Sequence, residues 1–392
     1  MKKGINFFGP YESNDSIGMS ALLNIESIKA SKIDYKTYLL PRPHSNRAID
    51  YEAINTKIVK ILKYKVNMFH FNARRVPLYF SQIDKNQLSK FYNIGFWVHE
   101  MQSIPDCWAE QIKFFDEIWT PSSFCQASIA NSSNKPVIKL PYGLMKNKIS
   151  NRILNRKSNS EFNFLSIFDV NSDAERKNPF FTIRAFLNAH SNNKNIRLIF
   201  KLRNLNRDSI LKEKLNSICK INENIKIIDS DFDINEINQL YENTDAYVSL
   251  HRAEGFGLTI AEAMSRGIPI IATGYSGNME YCNSMDSRLV NFKLVKVGKN
   301  RPRYRSEDLW AEPDLEDATL AFKELVNNNH EWLAKAAKSK IRLDENYSFD
   351  YIGQLIRRRI NLIDVNFKFD NDMHLRTIDI DIDVGVNNTY NF

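Results

Sequence analysis

The stretch S-L-H-R-A-E-G-F-G-L-T-I-A-E-A-M-S-R-G-I-P-I-I-A-T-G-Y-S-G-N-M-E, residues 249–280, decides the fold. It predicts the end of a strand, a glycine loop, a helix, a second strand and a second glycine loop. The run from Ile268 to Ala272 is typical of a buried parallel strand. A strand, helix and strand in this order indicate one unit of a parallel sheet that carries helices on its faces.

The loop between the first strand and the helix combines glycines with carboxylates. Glu254 and Glu262 stand eight positions apart, with Gly255 and Gly257 between them at the mouth of the helix. A helix N-terminus offers unpaired N–H groups and a positive dipole end to a diphosphate, and glycines let the backbone approach it closely. Glu262 is placed to accept hydrogen bonds from a ribose diol, and Glu254 to meet a sugar hydroxyl. The pattern favours a nucleotide-sugar site, while a solvated helix residue is the ordinary alternative for Glu262.

Two series of alternating strands and helices lie on either side of a polar, basic stretch at residues 144–161. The first series predicts strands at 4–9, 66–72, 93–98, 117–120 and 135–143, with helices at 17–31, at 108–115 and from 121. The second series predicts strands at 162–168, 196–202, 225–229, 246–250 and 268–272. The prediction is an α/β protein in which two Rossmann-like parallel-sheet domains face each other across a ligand cleft at the carboxyl ends of their strands.

The domain boundaries follow from these series. We place the first domain at residues 1–145 and a nucleotide-sugar-binding second domain at 146–345. Residues 346–366 are expected to form a C-terminal helix, with a return to the first domain as one option. Residues 367–392 are a C-terminal tail. Within it T-I-D-I-D-I-D-V, 377–384, alternates apolar and acidic residues, which predicts an extra strand with one solvent-exposed face.

Length and composition exclude several classes of protein. A chain of 392 residues with 43% apolar side chains is long enough for about two globular domains. It contains no apolar run of about 18 residues, the length that a membrane-spanning helix needs. Cys107, Cys125, Cys219 and Cys282 lack metal-ligand spacing, so reduced thiols in a cytoplasmic protein are expected.

The net charge of +8 is concentrated at the start of the chain: residues 1–145 carry 18 Lys/Arg and 12 Asp/Glu, against 36 and 34 in the remainder. Two interpretations stay open, plain solubility or contact with a lipid-linked diphosphate acceptor at an anionic membrane surface. The second would make the protein peripheral on the inner face of a bacterial membrane. Nucleic acid is not an expected partner, because the basic residues are dispersed and no nucleic-acid-binding motif is present.

Several segments together resemble the retaining glycosyltransferases of family 4, which have the GT-B fold. The signature Glu–seven residues–Glu runs from Glu254 to Glu262. Further segments are similar to bacterial members that assemble O-antigen and capsule, often as mannosyltransferases: I-G-M-S at 17–20, M-F-H-F-N at 68–72, N-I-G-F-W-V-H-E-M at 93–101, D-E-I-W-T-P-S-S-F at 116–124, F-D-V-N-S-D-A-E-R-K-N-P at 168–179 and W-A-E-P-D at 310–314. The resemblance covers roughly residues 4–330.

The resemblance implies roles for single residues. Arg176 and Lys177 match the basic pair that contacts the donor phosphate, where fixed cations stabilise the charge of a departing nucleoside diphosphate. Gly18 matches the glycine through which the first domain approaches that diphosphate. Glu254 matches the carboxylate near the transferred sugar, and Glu262 matches the carboxylate that binds the ribose.

The remaining matches concern the loop backbone and the first domain. Phe256, Gly257 and Leu258 match the backbone that faces the sugar and the phosphate. Glu100 matches a family glutamate, which implies contact with the acceptor or the sugar. His99 departs from the family, which usually has an aromatic residue at that position. Two interpretations of His99 stay open: it carries a proton, or it replaces the aromatic residue as a polar side chain in a packed loop.

The activity that the resemblance implies is that of a retaining α-glycosyltransferase, a hexosyltransferase in surface polysaccharide or lipopolysaccharide biosynthesis. The donor would be GDP-mannose or a UDP-sugar, and the acceptor a glycan or a lipid-linked glycan. No Asp-x-Asp motif follows a predicted strand, and D-I-D-I-D at 379–383 lies in the tail, so neither a metal nor another cofactor is expected. The alternatives are a non-catalytic GT-B scaffold that binds nucleotide sugars or glycans, and another GT-B enzyme such as an epimerase or a phosphorylase.

Overall fold

The computed structural model describes residues 2–40, 62–80, 88–154, 161–299, 301 and 303–366. The strand predicted at 377–384 lies outside the described residues.

The first half of the chain forms a parallel sheet of six strands in the order β2-β1-β3-β4-β5-β6. The strands are β1 (Lys2–Gly9), β2 (Tyr35–Leu39), β3 (Tyr64–His70), β4 (Tyr92–Phe96), β5 (Glu117–Thr120) and β6 (Val137–Lys139). The helices are α1 (Ser16–Ala30), α2 (Val76–Phe80), α3 (Asp106–Ala109) and α4 (Ser123–Ala130). The apolar runs that predicted this sheet are buried because helices cover both of its faces.

The second half forms another parallel six-stranded sheet, in the order β12-β11-β10-β7-β8-β9. Its strands are β7 (Phe162–Asp169), β8 (Ile196–Arg203), β9 (Ile225–Asp229), β10 (Ala246–Ser249), β11 (Ile270–Thr273) and β12 (Arg288–Val290). The helices are α5 (Asn151–Leu154), α6 (Ala174–Lys177), α7 (Pro179–His190), α8 (Ser209–Ile221), α9 (Ile234–Glu242), α10 (Leu258–Met264), α11 (Leu315–Asn327), α12 (Asn329–Asn346) and α13 (Phe349–Asn366). The predicted architecture of two parallel sheets is confirmed.

A two-stranded antiparallel hairpin joins the second sheet to α11. It consists of β13 (Phe292–Lys296) and β14 (Leu309–Pro313). The sequence predicted neither strand. The segment W-A-E-P-D at 310–314 resembles the family, but that resemblance does not predict a strand. The single helix predicted at 108–115 is instead a short α-helix, α3, which ends at Ala109, and a 3-10 helix, Glu110–Phe114, which follows it.

The first part of the polar stretch predicted between the two halves contacts the second half. The Asn147 side-chain amide donates to Ser265 Oγ at 2.7 Å. The Ser150 backbone N–H donates to the Arg266 backbone carbonyl at 3.3 Å. The two halves also share one buried apolar cluster, which includes Phe96 of β4 and Phe256 after β10. Burial of that shared surface favours one packed arrangement of the two sheets.

The last helix, α13, returns to the first sheet and packs along α1. Gly353 makes this close approach possible, because a Cβ at that position would lie 2.8 Å from the Ser27 carbonyl oxygen. Further along α13, the Arg359 guanidinium binds the carboxylate of Glu117, which is fully buried in β5. Glu117 also accepts a hydrogen bond of 2.7 Å from the Trp119 indole.

The Arg359–Glu117 ion pair is expected to hold α13 on the first sheet. Replacing Arg359 with Leu leaves a buried carboxylate without its charge partner, which we expect to lower the free energy of unfolding by about 2–4 kcal/mol. Arg359→Leu and the neighbouring exposed variant Arg358→Leu are compared by urea unfolding. We expect the Arg358 change to cost under about 0.5 kcal/mol. Equal losses in the two variants would show that the pair does not anchor the helix.

Candidate functional site

The centre of the site is the carboxylate of Glu254, in the loop after β10. One of its oxygens contacts the Lys177 ammonium and lies 3.3 Å from Nη1 of Arg176. Burial by itself raises the pKa of Glu254, but the adjacent cations outweigh it and hold the pKa at about 2. The glutamate is therefore a carboxylate at neutral pH, and the sequence-predicted residues Glu254, Arg176 and Lys177 meet in one cluster.

Arg176 is the most enclosed member of this cluster, with 2% of its surface exposed. Its Nη1 donates to the Ala253 carbonyl at 2.5 Å, and its Nη2 donates to the Ser172 carbonyl at 2.9 Å. Burial disfavours the charged guanidinium, but surrounding groups, among them Tyr304 and Glu254, raise its pKa overall. Arg176 is thus a fixed positive charge that also ties two loops together.

Lys177 is more accessible than Arg176, since 16% of its side chain is exposed. Burial lowers the pKa of its ammonium, and the contact with Glu254 opposes that shift. A second anion beside Lys177 would favour its charged form further.

The short helix α6 aims both cations into the cleft between the sheets. Asp173 caps the start of the helix with φ of +73°, and its carboxylate accepts hydrogen bonds from the backbone N–H groups of Glu175 and Arg176. Asn178 ends the helix in the left-handed region, at φ of +58°. Two left-handed residues on either side of a single helical turn set the direction of the side chains between them.

Glu100 approaches the same cluster from the first sheet. Its carboxylate oxygens lie 3.8 Å from Nη2 of Arg176 and 3.3 Å from the Tyr304 hydroxyl, which donates to it. Tyr304 belongs to the turn between β13 and β14. The structure therefore brings Glu100 of one half to Arg176 of the other.

His99 lies beside Glu100 but faces away from solvent, with 2% of its surface exposed. Its ring packs against Trp108 at 4.9 Å, and its Nε2 lies 3.0 Å from the Ser103 carbonyl oxygen. Burial lowers the pKa of the imidazole. The ring is thus held by packing and one hydrogen bond, and the role of His99 stays a prediction.

The glycine loop after Glu254 touches both halves of the protein. The Gly255 carbonyl accepts hydrogen bonds from Ser122 Oγ at 2.7 Å and from Cys125 Sγ at 3.2 Å. A Cβ on Gly255 would lie 2.2 Å from Val98 Cγ1, so only glycine fits between the sheets at this point. Gly255 therefore sets the approach of the two domains.

The next residues lead into α10. Gly257 has φ of +83°, the left-handed conformation that glycine adopts without cost, and it precedes the first helical residue, Leu258. The Gly257 carbonyl accepts hydrogen bonds from the Ile260 and Ala261 N–H groups at 3.0 and 3.1 Å, and only the N–H groups before them lack an acceptor within the helix. The Phe256 side chain is buried between the rings of Tyr142 and Tyr281, so it supports the loop by packing.

Glu262 lies one turn further along α10. Its Oε2 accepts a hydrogen bond of 3.0 Å from the Tyr241 hydroxyl. Burial raises the pKa of Glu262, with the Arg266 charge opposing it. Glu262 contacts Tyr241, whereas Glu254 contacts Arg176 and Lys177, so the two carboxylates lie at opposite ends of the glycine loop and first helical turn.

Gly18 lies at the start of α1, where its N–H donates to the Asp15 carboxylate at 2.9 Å. A Cβ on Gly18 would overlap the Ser13 carbonyl at 1.9 Å, so the loop before α1 folds directly over the helix. Arg203, at the end of β8, donates to the Asn14 carbonyl in that loop. The loop before α1 and the strand ends of the second sheet therefore face each other across the cleft.

Other residues at the interface were not predicted from the sequence. The Glu280 carboxylate accepts from the Ser123 N–H and from Lys139 Nζ, at 2.8 and 2.6 Å. A cavity of about 480 Å³ lies beside them, lined in part by Phe124 and Tyr275. Glu280 and Ser123 are 157 positions apart, and no local pattern links them.

All four cysteines are free thiols. The described ranges contain no cluster of three or more His, Cys, Asp and Glu side chains placed to hold a metal ion. No helix in the described part of the chain is long and apolar enough to cross a membrane.

Comparison with known protein families gives one match. Residues 152–296 match the family described as glycosyl transferases group 1. No curated protein sequence matches the chain.

Solved structures share the fold. HepE of Anabaena, in complex with UDP and glucose, has a TM-score of 0.67 at 12% identity, covering 92% of this chain and 100% of HepE. An E. coli protein bound with UDP-2-fluoro glucose has a TM-score of 0.61 at 10% identity, covering 91% and 99%. TarM of S. aureus, in complex with UDP, has a TM-score of 0.56 at 11% identity, and the match covers 76% of this chain and 55% of TarM.

The predicted GT-B fold is therefore confirmed. The second half of the chain is thus similar to the group 1 glycosyl transferases, and the solved structures show the fold of the whole. Membership of family 4 and a preference for mannose stay predictions.

The pKa of Glu254 makes a prediction about stability in acid. Because its folded-state pKa of about 2 lies below the ordinary 4.5, its ion pairs stabilise the fold fully above about pH 4.5 and are lost as the pH falls towards 2. The stability advantage of the wild type over Glu254→Gln should therefore shrink by about 3 kcal/mol between about pH 5 and 2. Urea unfolding at several pH values measures it, with exposed Glu213→Gln as the control. A pH-independent difference would contradict the charged pairing.

Proposed function

We propose that this protein is a retaining α-glycosyltransferase that transfers a sugar from a nucleotide-sugar donor to a glycan acceptor. The acceptor would be a lipid-linked glycan, and the reaction would belong to surface polysaccharide synthesis. The observation that carries the proposal is the position of Glu254 beside Arg176 and Lys177 in a cleft between two parallel sheets. A UDP-sugar is the favoured donor over GDP-mannose, because the structures of HepE and TarM hold UDP.

The cluster offers a diphosphate one accessible cation. Arg176 and Lys177 face two carboxylates, Glu254 and Glu100, so these four side chains balance in charge. Arg176 is held by backbone carbonyls, whereas the Lys177 ammonium is free to share its protons between Glu254 and a phosphate oxygen. In this proposal the donor diphosphate lies against Lys177 and the first turn of α10.

The transfer that we propose is a front-face substitution. The acceptor oxygen forms a bond to the anomeric carbon while the bond from that carbon to the diphosphate oxygen breaks. The acceptor proton passes to the departing phosphate, which keeps the bonding electron pair. Arg176 and Lys177 stabilise the negative charge on the leaving nucleoside diphosphate, and Glu254 accepts hydrogen bonds from the sugar hydroxyls.

Glu262 supplies the second donor contact in this proposal. A ribose diol that hydrogen-bonds to the carboxylate adds to the contact with the Tyr241 hydroxyl. Gly18 lies at the start of α1, next to the loop whose Asn14 contacts Arg203 of β8, and in this proposal it brings the first domain to the diphosphate side. His99 and Glu100 lie on the acceptor side, with Glu100 the residue that reaches the charge cluster.

The experiment that tests the proposal has two readouts. Thermal unfolding with UDP, GDP and their sugars measures binding, since a ligand at 100 times its dissociation constant adds about 2.7 kcal/mol of stability. NMR of the reaction with a glycan acceptor then reports the anomeric configuration, which we expect to be α, with or without chelator. Binding without transfer would favour the scaffold alternative. Loss of transfer with chelator, restored by magnesium or manganese, would contradict metal independence.

Replacing Lys177 tests the role of the cation. We expect Lys177→Gln to lower kcat about 100-fold, because a charge-stabilising group at the leaving phosphate is lost. Lys226→Gln, an exposed lysine in β9, is the matched control and should retain activity. Turnover of the Lys177 variant within twofold of the wild type would remove Lys177 from the reaction.

Replacing Glu262 tests the donor contact. We expect Glu262→Gln to weaken nucleotide binding by about 1–3 kcal/mol, the size of a charge-assisted hydrogen bond. Tyr241→Phe removes the neighbouring hydroxyl but keeps the carboxylate, so it should weaken binding less. Calorimetry with the nucleotide measures both variants, and an unchanged affinity of Glu262→Gln would place the ribose elsewhere.

A further inference from the structure

The hairpin of β13 and β14 has an exposed apolar face. Phe292 and Leu294 are 38% and 43% exposed. The two-residue period of a strand places Lys296 on the same face. The opposite face of β13 is anchored, because Val295 and Val297 pack in a cluster with Trp310. Phe292 packs on the Tyr275 ring at 5.1 Å on one side, so it and Leu294 form a small, supported apolar patch at the surface.

The same hairpin is basic. Residues 292–313 carry six Lys/Arg and three Asp/Glu. Arg301 and Arg305 bind Asp173 and Asp308. Lys299 and Arg303 are exposed in the turn.

The acidic residues of the hairpin offset only part of this charge. Glu312 binds Arg252, and Glu307 lies near Arg305 and Lys296. The outer side of the hairpin therefore presents apolar side chains together with an excess of lysine and arginine.

We propose that this hairpin docks on an anionic lipid bilayer, with Phe292 and Leu294 at headgroup level. Exposed lysines draw the protein to anionic headgroups, and apolar side chains then gain by leaving water. A soluble anionic polymer would use the cations alone and leave the two apolar side chains in water. The combination therefore favours a bilayer. The charge of residues 1–145 leaves membrane contact and plain solubility open, whereas this hairpin belongs to the second half of the chain.

The turn of the hairpin connects this surface to the charge cluster. The Tyr304 hydroxyl donates to Glu100 at 3.3 Å, and Arg301 contacts Asp173, the N-cap residue of α6. Docking would hold the cleft at the membrane surface, within reach of a lipid-linked acceptor. That last step rests on the proposed function, whereas the docking itself does not.

Co-sedimentation of the full-length protein with lipid vesicles tests the proposal. Vesicles of phosphatidylcholine alone are compared with an equal mixture of phosphatidylcholine and phosphatidylglycerol. We expect binding to the mixture only, weakened by salt because exposed charges are screened. Lys296→Gln/Lys299→Gln should weaken binding roughly 25-fold, about fivefold for each lysine. Phe292→Ser/Leu294→Ser should weaken it roughly tenfold, through lost apolar burial.

Helix α8 supplies matched controls on another surface of the second half. Lys214→Gln/Lys220→Gln removes the same charge from exposed positions. Ile210→Ser/Ile221→Ser removes exposed apolar side chains, since these two are 66% and 82% exposed. Both control variants should bind the mixed vesicles like the wild type, and thermal unfolding confirms that every variant is folded.

Three outcomes would overturn the proposal: no binding of the wild type to mixed vesicles, equal losses in the hairpin and α8 variants, or a loss with the lysine changes alone. The last would show that the hairpin binds through its cations alone and that Phe292 and Leu294 do not enter the headgroup layer. Failure of the proposed function looks different, because a protein that transfers no sugar would still show hairpin-dependent vesicle binding.

Discussion

The site depends on one buried carboxylate and the two cations that surround it. Glu254 joins the loop after β10 to α6, because its carboxylate contacts Arg176 and Lys177. Backbone hydrogen bonds strengthen the same junction, since Arg176 Nη1 donates to the Ala253 carbonyl and the Arg252 N–H donates to the Arg176 carbonyl at 2.7 Å. A buried charge is stable only when it is paired, so these loops hold each other in position.

The junction would be incomplete without the first half of the protein. Ser122 and Cys125 donate to the Gly255 carbonyl, and Glu100 reaches the Arg176 guanidinium from the other sheet. Helix α13 adds a second connection through Arg359 and Glu117. Because packing and hydrogen bonds join the halves on both sides of the cleft, the position of the cations relative to the first domain follows from the fold as a whole.

The sequence predicted the parts of this arrangement that have local signals. Buried parallel strands appear as apolar runs, and the glycine loop with Glu254 and Glu262 marked the cleft. Strand β2 was not predicted, because its sequence Y-K-T-Y-L contains no apolar run. The contact of Tyr304 with Glu100 spans 204 positions, and partners so distant are brought together only by the tertiary fold. The burial of His99 likewise depends on packing against Trp108, which its neighbours in sequence do not reveal.

The most direct test of the account is a crystal structure of the protein with UDP bound. The account predicts a diphosphate oxygen about 3 Å from Lys177 Nζ, the distance of a charge-assisted hydrogen bond, with the ribose hydroxyls at Glu262. A diphosphate bound elsewhere, for example in the cavity beside Phe124 and Tyr275, with the Lys177–Glu254 contact unchanged, would contradict it.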